Sequence, residues 1–167
     1  MTTQHPLAAF SFYLAGRHQV LLTVAAEIVG HLDAIDAATS EPRTRASDLM
    51  WLWTLGAYEV VRTMCQSGAC FTPGFYRSIA ALKLDLERVR VPNTKMERLR
   101  YNRKDRPVPV PSTRAPDIYD ERGKDLLVGD PADAASARSL LRAYTRVLAS
   151  LTLADVVLSH EDSLASR

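Results

Sequence analysis

The sequence predicts an all-α protein, a four-helix bundle in a single domain over 1–167. A long proline-rich arm, 98–130, with a small β-hairpin is expected between the third and fourth helices. Three observations predict this. Apolar residues recur at alternating spacings of four and three along four separate stretches, the mark of helices packed on helices. The chain has 167 residues, 47% hydrophobic and 24% charged, which suits one globular domain and excludes general disorder. Six of its nine prolines fall between 92 and 131, so the irregular part is concentrated in one place.

The first helix is expected over 8–37. Phe10, Leu14, Leu21, Val24, Ile28 and Ile35 form its seam, and Arg17 and His31 are polar positions on that same seam. Thr39-Ser40-Glu41-Pro42 should end it. The second helix is expected over 46–66 with Ser47 as its N-cap. Leu49, Leu52, Trp53, Gly56, Val60 and Met64 give one apolar stripe, and Trp51, Leu55 and Tyr58 a second. A helix apolar on most sides is central in its bundle, and its second face favours a homodimer. Gly56 in mid-helix implies a close helix crossing.

The third helix is expected over 75–91 through Phe75, Ile79, Leu82, Leu86 and Val89, and Pro92 should stop or kink it. A short continuation is read over 94–103. Pro107-Val-Pro-Val-Pro111 must be extended. Ile118-Tyr119 and Leu126-Leu-Val128 read as the hairpin, turning at Gly123. Asp130 and Pro131 should open the fourth helix, which runs to about 160 through Ala137, Leu141, Tyr144, Leu148, Leu151 and Leu158. The tail from Glu161 should fray.

The N-terminus, Met1-Thr-Thr-Gln-His-Pro6, lacks a basic region before an apolar one, and no run of about 18 apolar residues exists. The expectation is a cytoplasmic protein with no membrane partner. Cys65 and Cys70 have neither redox nor zinc spacing and read as interior thiols. Glu27 and His31 share a helix face, but a di-iron bundle needs a different spacing and a second copy. No metal or cofactor is expected. Phosphate loops and serine or cysteine nucleophile motifs have no counterpart.

Charge singles out one segment. Residues 83–106 hold nine basic side chains against four acidic ones, whereas the remainder of the chain holds twelve against fifteen. Arg88, Arg98, Arg100, Arg103 and Lys104 belong to this strip and suit a phosphate backbone, with Tyr101 as a stacking surface. Glu59 and Arg62, three residues apart on an apolar helix, require pairing. With Arg17 and His31 they are candidates for a polar pocket between helices. Trp51, Trp53, Tyr58 and Tyr144 are candidates for its apolar lining.

The helix ending in Arg90-Val-Pro-Asn-Thr-Lys95-Met-Glu97, within a small helical bundle, resembles the HEPN domains. These are small helical proteins of bacterial defence and toxin systems, often dimeric and often ribonucleases. Arg90 matches the motif arginine, and Lys95 stands near the place of the motif histidine. Because a protonated lysine cannot act as the base a neutral histidine supplies, the resemblance implies RNA or partner binding more than cleavage. The expectation is therefore a binding protein that recognises nucleic acid or a protein partner through the basic strip and arm. The alternatives are a ribonuclease using Arg90, Lys95, Glu59 and Arg62, and a bundle that holds a small molecule.

Overall fold

The computed structural model describes residues 5–35, 40–112 and 117–165, the side chains of 98, 99 and 107 excepted. The protein is mainly helical, with two small antiparallel sheets, so the all-α expectation is corrected to a mixed but helix-dominated class. The order is α1 (Leu7–Phe10), α2 (Phe12–Ala34), α3 (Glu41–Gln66), α4 (Pro73–Thr94), β1 (Glu97–Tyr101), β2 (Pro107–Pro111), β3 (Ile118–Asp120), β4 (Asp125–Val128), β5 (Ala135–Ser136), α5 (Ala137–Ala149) and α6 (His160–Ala165). Helix α2 lies against α3, α3 against α4, α4 against α5, and α5 returns to α2.

The expected first helix is two helices. Ser11 is extended and breaks the run. Its hydroxyl then caps α2, accepting from the Leu14 amide at 3.3 Å. The break removes Phe10 from the seam and re-phases the rest. The buried positions of α2 are Leu14, His18, Leu21, Ile28 and Leu32. Arg17 is exposed and His31 half-buried, so neither lies on the seam as expected; His18 and Leu32, one residue further on, take those places.

Pro42 does not end a helix but opens α3. It stands in the first turn, where no amide donor is needed and its fixed φ suits the helix. Ser47 is therefore inside α3 rather than its cap, and its hydroxyl bonds Asp117. Gly56 sits where a Cβ would come within 2.9 Å of Leu21 Cδ2, so the missing side chain permits the α2–α3 contact. Gly68 opens the 3-10 turn between α3 and α4 and lies against the Tyr76 ring, where a Cβ would clash at 2.5 Å.

Thr72 caps α4 and Pro73 fills its first turn. The helix continues past Pro92 to Thr94, because so little of it remains beyond the proline. Met96, at φ 49°, then turns the chain into β1. The expected helical continuation over 94–103 is thus a strand. β1 pairs with β2 from Glu97↔Pro111 to Tyr101↔Pro107. Flanking hydrogen bonds join Ser112 N to Met96 O at 2.8 Å and Asn102 N to Arg106 O at 3.0 Å. That phase directs the amides of Val108 and Val110 at β1 and puts the three prolines where an amide would face outward.

The hairpin at 118–128 is present as β3–β4, but the left-handed residue of its turn is Lys124, φ 47°, rather than Gly123. β5 adds a third strand. Leu126 and Val128 bury the sheet against the helices. The fourth helix is shorter than expected. Asp130 caps only a single 3-10 turn at Pro131–Asp133, and α5 begins at Ala137 with Ser136 as its cap. Buried Asp125 holds that junction, accepting from the amides of Leu126 at 2.8 Å and Arg138 at 3.1 Å and from the Ser136 hydroxyl. Beyond α5 the chain is tied back at Thr72 N to Asp155 O, 3.0 Å, and Val157 N to Cys70 O, 2.8 Å. The tail is helical from His160 to Ala165, and His160 packs on Phe10; residues 166–167 of the tail expected to fray lie outside the described residues.

Trp53 stands at the centre of the core. Its indole N–H donates to Leu21 O at 3.2 Å, and Tyr144 of α5 meets it edge-on at 5.3 Å.

Candidate functional site

The β1–β2 hairpin extends the end of α4. Its tip is built by Asn102, whose side-chain oxygen accepts from the amides of Lys104 at 2.9 Å and Arg106 at 3.0 Å, while Asp105 takes φ 56°. This fixed turn presents Arg100, Tyr101, Arg103, Lys104 and Arg106, all exposed. Tyr101 is 67% exposed, a large area for an aromatic ring with no use in the core. The side chains of Arg100, Arg103, Lys104 and Arg106 form no ion pair among the described residues. Lys95 is exposed at the C-cap of α4, at the foot of the hairpin. Arg98 is a β1 residue whose side chain lies outside those described. From Lys95 to Arg106 there are six basic side chains against Glu97 and Asp105.

Arg88, expected in the same strip, is engaged elsewhere. Its guanidinium forks onto Asp133, with Nε–Oδ2 at 3.0 Å, and the pair lowers the Asp133 carboxyl below its ordinary range.

The charged pair on α3 does converge with Arg90. Glu59 Oε2 accepts from Arg62 Nη1 at 2.8 Å, and Glu59 Oε1 lies 3.9 Å from Arg90 Nη2. The Arg90 guanidinium lies over the Tyr58 ring at 4.2 Å, and the Tyr58 hydroxyl donates to Glu87 at 3.4 Å. One carboxylate therefore serves two arginines, and an aromatic face holds the second of them. Lys95 is not one of these contacts. Tyr58 belonged to the second apolar stripe of α3, and α4 covers it; Trp51 and Leu55 are half-buried.

Arg17 and His31 do not share a pocket. His31 pairs with Glu27 on its own helix at 3.7 Å, and Arg45 reaches the same carboxylate at 3.8 Å. Arg17 lies over the Tyr13 ring at 4.8 Å and lines a groove between α2 and α3 that also holds Glu59 and an edge of Trp53. Trp51, Tyr58 and Tyr144 do not line it.

The residue that periodicity missed is His18. It is 2% exposed, its Nδ1 lies 3.2 Å from the Tyr144 hydroxyl, and the His5 ring packs on it at 4.9 Å. Burial, followed by the neighbouring His5, pushes its pKa from 6.5 down to about 4, and burial pushes the Tyr144 phenol up. Its spacing, four residues after Leu14 and three before Leu21, suits the seam, but Arg17, three after and four before, suits it equally well, so spacing alone does not single out His18.

Cys70 is buried, and burial raises the half-buried Cys65 thiol. No group of three or more His, Cys, Asp or Glu among the described residues is placed to hold a metal ion. No described helix is long and apolar enough to cross a membrane. No family model, no curated protein and no solved structure matches the chain.

Proposed function

We propose that the protein binds nucleic acid, and that the β1–β2 hairpin with the end of α4 is its recognition arm on a four-helix bundle. The observation that carries this reading is the set of cations that form no ion pair among the described residues, on the hairpin and its fixed turn: Arg100, Arg103, Lys104 and Arg106, with Tyr101 beside them. Cations paired within the chain, such as Arg88, gain little from a phosphate; unpaired ones release counterions when they meet it. Tyr101 offers one base a stacking face.

The test is anisotropy of a labelled single-stranded RNA and a DNA of the same sequence at two salt concentrations. For about five phosphate contacts, affinity falls about a hundredfold between 50 and 200 mM salt. Tyr101→Ala weakens binding about tenfold and leaves the salt slope unchanged. Absence of binding at low salt overturns the reading.

A second reading rests on the convergence of Glu59, Arg62 and Arg90. It makes the protein a HEPN-like ribonuclease in which Arg90 grips the phosphate. Total RNA left intact, or cleavage unchanged by Arg90→Ala, sinks it.

A further inference from the structure

The groove between α2 and α3 has a volume of ≈ 420 Å³, within the range of small-molecule sites. Its walls are apolar: Leu14, Val20 and Val24 from α2, and Leu49, Leu52 and Val60 from α3, with an edge of Trp53. Val20 and Leu52 are each 54% exposed, although valine and leucine gain by leaving water. Two charged residues stand at the groove, and their states differ. Glu59 is already held by Arg62 and Arg90. Arg17 rests on Tyr13 and makes no hydrogen bond or ion pair among the described residues. The uncompensated charge of the groove is therefore one cation beside an apolar trough.

We propose that this groove is a binding site for a small amphipathic monocarboxylate, such as a medium-chain fatty acid. Its apolar body lies along Val20, Val24, Leu52 and Val60, and its carboxylate meets the Arg17 guanidinium. An alcohol of the same length leaves Arg17 without its anion. An alkylammonium places like charges together. This site is independent of the hairpin, so nucleic-acid binding and ligand binding stand or fall separately.

The experiment is calorimetric titration of the full chain with decanoate, decanol and decyltrimethylammonium, with Trp53 fluorescence as a second readout. Decanoate is expected to bind at least about tenfold more tightly than decanol, the size of one charge-assisted hydrogen bond. Arg17→Gln, at an exposed position, should bring decanoate to the level of decanol. Leu52→Glu should remove decanoate binding by placing an anion in the trough. Equal binding of all three probes, or decanoate binding unchanged in Arg17→Gln, overturns the proposal. So does failure of decanoate to bind when light scattering finds a dimer that Leu52→Glu dissociates; the groove is then the contact between two copies of the chain.

Discussion

The difference between Arg17 and His18 is one position in the chain and about 100° around the helix. Spacing alone favours either phase of α2, since both run through Leu14, Leu21 and Ile28. Reading Phe10 as part of the same helix, and so as the start of its alternation of four and three, selects the wrong one. The deciding contact is with Tyr144, 126 residues away, and no local pattern announces it. The consequence is measurable. His18 has a folded pKa of about 4 against an ordinary 6.5, so the unfolded chain takes up a proton that the folded chain refuses. Stability is unaffected above about pH 6.5, falls as the pH drops toward about 4, and levels off in this respect below that. Denaturant midpoints across the window should show the fall, and His18→Gln should flatten it. An NMR titration in which the His18 ring protonates near pH 6.5 would show that its burial is not felt.

At the scale of elements, the long helices were legible because their pattern is local: α3 and α4 declare themselves through stripes of buried side chains. The proline-rich arm was legible only as extended. Its partner strand reads as a helical continuation from the sequence, because Glu97-Arg-Leu-Arg100 follows directly on α4. Only the register explains the prolines. With Val108 and Val110 facing β1, the outer edge of β2 has no amide donor from Pro107, Pro109 or Pro111. A sheet edge that cannot donate does not recruit a second copy. Replacing all three prolines by valine should keep the hairpin, since valine suits a strand. It should also open the edge, seen as concentration-dependent association in light scattering. A triple variant that remains as dispersed as the parent would show that the prolines serve another purpose.

For the molecule as a whole, sequence and structure agree on a helix-dominated body with a basic appendage, and the appendage is separable by geometry. Glu97 and Pro111 stand directly opposite one another, and the Ser112 amide reaches Met96 O at 2.8 Å, so the hairpin enters and leaves at one point. The main neighbour of β1 outside the hairpin is the end of α4, whereas the core around Trp53, Tyr144 and Leu21 lies among the helices. The hydrogen-bonded opposed pair Met96 and Ser112 can be closed by a two-residue turn, and Asn-Gly suits one best. Exchanging residues 97–111 for Asn-Gly should therefore leave the helical circular dichroism intact and lower stability by about 1 kcal/mol or less, as expected for a surface segment. It deletes Arg98, Arg100, Tyr101, Arg103, Lys104 and Arg106 together while retaining Arg17, Glu59 and Arg90. Nucleic-acid binding should vanish in this variant, and decanoate binding should persist. Nucleic-acid binding that survives the exchange would move the recognition surface to the helices, and a collapse of the fold would make the hairpin part of the core.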